Sequence, residues 1–264
     1  MASKGEDNKI PTLLYWNTRA LAEPIRLLLA HLGVEYKDER LQAGPPPTYD
    51  KTKWNEMKKE LREKMSFPNL PLWDDPERGV LMSQTNAILM YIADTYGLPC
   101  TAEERGHAHM ILCAIREWFD ALFLVTYCNY PWDDGNEEGV HVEGEDQALP
   151  SPGFESKRQR YITTSLPGYL SSFSAELNRN KGPWIGGTNL TFVDFIFWEC
   201  LDQHLHLHSA LFSDPAVANL KEYYDRFLSL PKIAAYRASP NFHAEPFHNR
   251  YSHFHRGWAT SSNN

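Results

Sequence analysis

The chain has 264 residues, of which 42% are hydrophobic and 13% aromatic, enough for one large or two modest folded domains. A formal net charge of −8 argues against nucleic acid or an anionic membrane surface as the main partner. The four cysteines form no CxxC pair, which indicates a reduced cytoplasmic setting, and no apolar run is long enough to span a bilayer.

The first part of the chain mixes strand and helix patterns. Residues 1–10 are polar without an apolar signal core, and we expect a disordered N-terminal extension. Strands are predicted at residues 12–15 and 34–41, with a helix from residue 21 to 32 between them. A short helical or irregular piece follows at residues 51–65, and residues 70–96 give two short strands and a helix. This order predicts a small α/β domain over residues 11–97.

The rest of the chain, residues 98–264, is predicted to be an all-helical domain. Helical patterns cover residues 102–128, 155–180, 190–208 and 215–230. Thr191 suits a helix N-cap, and Asp194 can reach back to its N–H group. Residues 133–155 are rich in Asp and Glu, contain no Lys or Arg, and predict an exposed acidic loop insertion. Two roles remain open for this segment, a solvated insertion or a lid or docking element.

The most informative stretch is residues 67–93. Its Ser83-Gln84-Thr85 sequence starts an apolar helix, and the unpaired N–H groups there suit a small carboxylate. Leu70-Pro71 is a rigid step at a strand entrance. A cis bond there would turn the Leu70 N–H and C=O outward, so that a peptide could pair with them. The stretch therefore predicts a small peptide ligand.

Four passages together resemble the cytosolic glutathione transferases, above all the mu class. They are LYW…RALAEPIR at residues 14–26, YD…W at residues 49–54, SFPNLP…SQTNAILMYIA at residues 66–93 and LTFVDF at residues 190–195. The resemblance covers about residues 11–258, with gaps. It implies a thioredoxin-like N-terminal domain followed by an all-helical domain, the glutathione transferase fold, in a cytoplasmic homodimer with two-fold symmetry.

The resemblance implies that Tyr15 is the catalytic residue. A phenol at the end of the first strand would donate one hydrogen bond to the glutathione thiolate. Lowering a thiol pKa by about two units requires roughly 2.7 kcal/mol, and a charge-assisted hydrogen bond supplies about 1.5–3 kcal/mol. The alternative is a tyrosine that only packs in the core at the strand end.

The resemblance also assigns residues to the glycyl end of glutathione. Trp16 and Trp54 would donate their indole N–H groups to the carboxylate, together with the ammonium of Lys58. Lys59 is the neighbouring alternative to Lys58. Lys51 stands where mu enzymes usually have arginine, so that contact is weakened or lost in this chain.

The remaining glutathione contacts implied by the resemblance lie near residue 70 and residue 84. Asn69 and Leu70, next to Pro71, would pair with the cysteinyl backbone, while Gln84 and Thr85 would hold the γ-glutamyl end. Mu enzymes usually have serine at the position of Thr85, and the retained hydroxyl should preserve the helix cap.

The last implied contacts come from both domains and from a partner subunit. Asp120, or alternatively Glu117, would reach the γ-glutamyl amine of the partner. Leu21 would contact glutathione beside Tyr15. The electrophile would meet Leu14 near Tyr15 and, from the second domain, Tyr127 or Tyr130, with Cys128 and residues 247–258 as further candidates.

The implied function is conjugation of the glutathione thiolate to small hydrophobic electrophiles, a detoxification reaction. Two alternatives remain: a non-catalytic member that binds glutathione or apolar ligands, and a glutathione-dependent isomerase. The 11 histidines show no zinc-ligand spacing, and the GxxxxGK and GxGxxG patterns are missing. We therefore expect glutathione as co-substrate, no metal, and neither nucleic acid nor membrane as a partner.

Overall fold

The computed structural model describes residues 10–45, 48–98, 100–127, 152–180, 182–250 and 252–255. Tyr130 and most of the predicted N-terminal extension and acidic insertion lie outside the described residues. The described end of that insertion differs from the prediction, because residues 152–155 belong to the helix Pro152–Arg160 rather than to a loop.

The first half of the chain forms a four-stranded sheet with three helices. In chain order the elements are β1 (Thr12–Trp16), α1 (Glu23–Leu32), β2 (Lys37–Leu41), α2 (Thr52–Leu61), β3 (Leu72–Asp75), β4 (Val80–Ser83) and α3 (Thr85–Tyr96). The sheet order is β2-β1-β3-β4, with β1 parallel to β2 and antiparallel to β3. This confirms the predicted thioredoxin-like fold class, although β2 begins three residues later than expected.

The described second half is helical, which confirms the other part of the predicted fold class. Its helices are α4 (Ala102–Thr126), α5 (Pro152–Arg160), α6 (Leu166–Asn180), α7 (Phe192–Leu207), α8 (Ala218–Leu228) and α9 (Pro231–Arg237). The single helix predicted at residues 155–180 is divided by a π-helical turn, Tyr161–Ser165. Helix α9 was not predicted, because its seven residues are too short for a clear periodic pattern.

Helix α7 begins at the predicted cap. The Asp194 carboxylate accepts hydrogen bonds from the Thr191 N–H at 2.8 Å and from the Ile185 N–H at 2.9 Å. The helix is buried along most of its length and packs against α1 of the first half and α4 of the second. One apolar core therefore joins the two halves. Within the described ranges, no helix has the length and apolar character needed to cross a membrane.

Candidate functional site

The strand register brings distant parts of the chain to one end of the sheet. Leu14 of β1 lies opposite Leu72 of β3, and Leu72 lies opposite Ser83 of β4. Both pairings are antiparallel, so the residues after Leu14 and Ser83 run past those before Leu72. Tyr15, Leu70 and Gln84 therefore meet at the same end of the sheet.

A small buried cluster covers this end of the sheet. It contains Leu14, Tyr15, Ala20, Ala22, Leu41, Trp54, Leu70 and Leu72, with Trp16 and Leu21 packed against it and partly buried. Trp54 belongs to α2, which is separated in sequence from the other members. The cluster thus contains five of the eleven residues that the resemblance assigned to glutathione, namely Tyr15, Trp16, Leu21, Trp54 and Leu70.

Tyr15 is placed as a hydrogen-bond donor. Its side chain is 6% exposed, and its hydroxyl oxygen accepts a hydrogen bond from the Leu21 N–H at 3.4 Å. The hydroxyl proton remains for donation to a ligand. Burial raises the pKa of Tyr15, and the Leu21 hydrogen bond and the charges of Arg26 and Arg116 only partly oppose this. The phenol therefore stays protonated at neutral pH and has a proton available for donation.

Thr85 supports the same turn from the other side. Its hydroxyl donates to the Leu21 carbonyl oxygen at 2.9 Å, so both backbone groups of Leu21 are held. This use of the hydroxyl leaves the backbone N–H groups at the start of α3 for a carboxylate. Gln84 has φ 79° and ψ 116°, a conformation that is rare outside glycine and that concentrates at ligand sites.

Several donors around this end of the sheet have no partner in the part of the chain that the structure describes. Among the described residues, nothing hydrogen-bonds to the indole N–H of Trp16 or Trp54, to the Lys58 ammonium or to the Gln84 side-chain amide. Lys58 follows Trp54 by one helical turn, so the two side chains share a face of α2. These unpaired donors suit the two carboxylate ends of a tripeptide.

The Leu70-Pro71 segment, which is predicted to pair with a peptide, makes a hydrogen bond with its neighbour Asn69. The Leu70–Pro71 bond is cis, and the Leu70 N–H donates to the Asn69 side-chain oxygen at 2.9 Å. A ligand that pairs with Leu70 at this N–H has to replace that contact. The roles predicted for Asn69, Leu70 and Pro71 stay predictions.

Asp120 is bonded within its own helix. Arg116 donates to its carboxylate through Nε at 3.2 Å and Nη2 at 2.6 Å. Glu117, the alternative residue, is exposed on the same helix. The predicted contact of Asp120 with a partner subunit stays a prediction.

Tyr127, predicted to meet the electrophile, follows the end of α4. Its ring stacks on His248 at 5.2 Å between centroids, and its hydroxyl accepts from the Asn249 N–H at 3.3 Å. These contacts tie Tyr127 to the end of the chain. The predicted partner of Tyr127 in this role, Tyr130, lies outside the described residues.

Arg19 is a buried residue of the turn after β1 for which no role was predicted. Its fully buried guanidinium donates to Glu199 through Nε at 3.1 Å and Nη2 at 2.5 Å, and to Asp202 at 2.6 Å. Burial alone would lower the pKa of Arg19, but these carboxylates outweigh it and raise the pKa above its ordinary value. The sequence signal was the pair of acids Glu199 and Asp202, which follow the apolar run at residues 195–198 within helix α7.

Where the structure describes the chain, no group of three or more His, Cys, Asp or Glu side chains could hold a metal ion. The donors at this end of the sheet suit an anionic peptide, and Tyr15 lies among them.

Comparison with known proteins gives matches along most of the chain. The family model described as "Glutathione S-transferase, N-terminal domain" matches residues 11–94, and the corresponding C-terminal domain model matches residues 148–240. Glutathione S-transferase Mu 1 of Oryctolagus cuniculus is 34% identical over 234 residues, 88% of this chain and 92% of the relative. Glutathione S-transferase B of Cavia porcellus is 31% identical over 241 residues, 91% and 97% of the two chains.

A further relative and a solved structure agree with these matches. Glutathione S-transferase Mu 2 of Mus musculus is 32% identical over 237 residues, 89% of this chain and 94% of the relative. The fold is similar to that of the Pi-class glutathione S-transferase of Onchocerca volvulus, with a TM-score of 0.70, 22% identity and coverage of 92% and 99%. On the identity and coverage of the mu-class relatives, this chain belongs to the glutathione S-transferase family.

Proposed function

We propose that this protein conjugates glutathione to small hydrophobic electrophiles, with Tyr15 as the catalytic residue. The observation that carries the proposal is the hydrogen bonding of the Tyr15 hydroxyl. Its oxygen accepts from the Leu21 N–H, and its proton stays available at the end of the sheet where Leu70 and Gln84 meet. The family relatives support the reaction class, since their names describe glutathione S-transferases.

Glutathione lies along the end of the sheet in this proposal. Its γ-glutamyl end binds at Gln84 and the first N–H groups of α3, and its cysteinyl backbone pairs with Leu70. Its glycyl carboxylate meets Trp54 and Lys58, whose donors have no partner within the described part of the chain. This arrangement puts the sulfur beside Tyr15.

Tyr15 stabilises the sulfur anion by donation. The hydrogen bond strengthens as the thiol loses its proton, so it favours the nucleophilic form. Arg26 and Arg116 act in the same direction, because their positive charges already lower the pKa of Tyr15. The thiolate then attacks an electrophilic carbon, a carbon–sulfur bond forms, and the leaving group departs with the bonding electron pair.

The test is Tyr15→Phe with glutathione and a chlorodinitrobenzene. Loss of one charge-assisted hydrogen bond should lower kcat/KM by about 10- to 150-fold with glutathione binding retained. Tyr96→Phe is the matched control, because its hydroxyl donates to Asp75 at 2.9 Å. Equal rates for wild type and Tyr15→Phe would overturn the role of Tyr15.

The same measurements separate the two alternative functions. Glutathione binding without turnover on a broad panel of electrophiles would indicate the non-catalytic binding member. Turnover of an isomerisable substrate, without consumption of glutathione, would indicate the isomerase. Conjugate formation that consumes one glutathione per product supports the transferase.

We also propose a two-fold homodimer in the cytoplasm. Among the described residues, the exposed large hydrophobic side chains are Phe67, Met110 and Leu124, exposed by 77%, 56% and 61%. Phe67 lies two residues before Asn69, so a partner that covers it would lie next to the glutathione site. The cysteines that the structure describes, Cys100, Cys113 and Cys200, are unpaired, which supports a reduced compartment.

The dimer is tested by Phe67→Ser and light scattering during gel filtration. Loss of an apolar anchor should shift the molecular mass from two subunits towards one at micromolar concentration. A monomeric wild type would contradict the proposal. Cell fractionation of the tagged full chain tests its location.

A further inference from the structure

The C-terminal segment, residues 244–250 and 252–255, lies against the turn that carries Leu21. The carbonyl oxygen of Pro246 accepts from the Arg19 N–H, and that of Phe247 accepts from the Ala20 N–H, both at 2.9 Å. Ala20 has φ 33°, a conformation that a residue with a Cβ adopts only when its surroundings hold it. The C-terminal segment supplies two of the contacts that hold this turn.

The position of this turn then orients the Tyr15 hydroxyl. The next N–H after Ala20 is that of Leu21, which donates to the Tyr15 hydroxyl at 3.4 Å. Because one side of the hydroxyl is taken by this donor, the direction of its own proton depends on where the turn lies. A shift of the turn would aim the phenol proton away from the sulfur.

His248 fixes the C-terminal segment next to Phe247. Its fully buried ring lies 3.0 Å through Nε2 from the Gln203 side-chain oxygen and 3.2 Å through Nδ1 from the Ser252 hydroxyl. The Gln203 amide nitrogen donates to Glu199 at 2.8 Å, so its oxygen faces His248 and Nε2–H is the donor. The ring also packs edge-on against Phe123 at 5.0 Å.

We propose that His248 is a positioning residue for the catalytic tyrosine. It holds the Phe247 carbonyl against the Ala20 N–H, and this contact sets the turn that orients the Tyr15 hydroxyl. The inference rests on the proposed function, because it gives a positioning role within the same site. Trp54, Leu70 and Gln84 belong to other elements, and only the predicted Leu21 contact with glutathione lies on the turn. The loss of His248 therefore acts mainly on kcat and changes the KM for glutathione little.

The first test needs no activity. Hydrogen exchange of the backbone amides in residues 17–28 is measured by mass spectrometry on the full chain without ligand. His248→Ala should speed exchange at this turn by about tenfold, since its hold is lost. His248→Gln, which keeps an amide donor near the Nε2 position, should restore most of the protection.

His253→Ala is the matched control for this test. His253 is a buried histidine of the same segment, but its ring stacks on Phe154 of α5 at 4.9 Å. Its loss removes a comparable buried ring without a contact to the turn. Equal exchange at residues 17–28 in His248→Ala and His253→Ala would overturn the positioning role.

The second test is the pH profile of conjugation. In His248→Ala we expect kcat to fall about tenfold, with the KM for glutathione within about twofold of wild type. The acid-side midpoint of kcat/KM for the electrophile, measured with glutathione in excess, should rise by about one pH unit. An active wild type with an unchanged midpoint in His248→Ala contradicts the inference. An inactive wild type contradicts the proposed function instead, while the exchange test still decides the contact.

Discussion

Thr85 shows how one residue serves both the fold and the site. Its hydroxyl donates to the Leu21 carbonyl oxygen, and the N–H of Leu21 donates to the Tyr15 hydroxyl. A capping hydroxyl was expected at Thr85, but the side chain bonds the turn beside Tyr15 instead, which only the packing of α3 against that turn decides. The predicted contact of Thr85 with glutathione stays a prediction.

Thr85→Val should weaken this support without a change of shape. Loss of the hydrogen bond leaves the Leu21 carbonyl without its partner and should lower the free energy of unfolding by about 1–3 kcal/mol. The kcat for conjugation should fall with it. Thr85→Ser keeps the hydroxyl and should behave like wild type in urea unfolding and steady-state kinetics. A Thr85→Val variant with wild-type stability and rate would contradict this role.

At the scale of elements, a buried chain of hydrogen bonds joins α4, the π-helical turn and α7. The Trp118 indole N–H donates to the Tyr161 hydroxyl at 2.9 Å, and Tyr161 lies 2.8 Å from His204 Nε2. His204 Nδ1 lies 2.7 Å from the Cys200 carbonyl, so Nδ1 carries the proton and Nε2 accepts from Tyr161. The π-helical turn places Tyr161 between the two helices.

This network makes stability depend on pH. Burial lowers the pKa of His204 to about 4, below its usual value of about 6.5 in an unfolded chain. Above pH 6.5 both states are neutral; below it only the unfolded state gains the proton, so stability falls as pH falls towards 4. At pH 5 the loss from His204 alone is about 2 kcal/mol.

His204→Phe should remove this part of the pH dependence. The difference in unfolding free energy between pH 7 and pH 5 should shrink by about 2 kcal/mol, measured by urea unfolding. Tyr161→Phe is the companion variant, because it breaks the hydrogen bond but keeps the buried histidine. It should lower stability at both pH values and retain the pH dependence. The same pH difference in wild type and His204→Phe would refute the assignment.

At the scale of the whole molecule, a buried ionic group joins the two halves. Arg19 comes from the turn after β1, and its partners Glu199 and Asp202 come from α7. Asp202 also accepts from the Tyr224 hydroxyl at 2.5 Å, and Glu199 from the Gln203 amide at 2.8 Å. Charges removed from water are tolerated here because each of the four carboxylate oxygens has a donor.

Arg19→Met should therefore lower the free energy of unfolding strongly. It leaves two buried carboxylates without their cation, and we expect a loss of about 3–5 kcal/mol in unfolding free energy. Arg105→Met is the matched control, because Arg105 pairs with Asp94 at the surface and should cost less than about 1 kcal/mol. Similar losses in the two variants, measured by chemical unfolding, would contradict a role of Arg19 in joining the halves.

Local signals could be predicted from the sequence because they depend on neighbouring residues. The cap formed by Thr191 and Asp194, the helix start after Gln84 and the strand before Trp16 are of this kind. The family resemblance added a role for Tyr15 and named its companions. The helix boundaries were less certain, since the division of residues 155–180 at Tyr161 depends on contacts with α4 and α7.

The sequence by itself determined most of the elements and the residue types available for the site, and its resemblance to a known family determined the fold class. The tertiary structure alone decided which distant groups meet: Leu14 with Leu72, Arg19 with Glu199, and Ala20 with Phe247. The physical reason is that such pairings depend on strand register and on the shape of the packed core. Neither leaves a periodic pattern in the residues concerned.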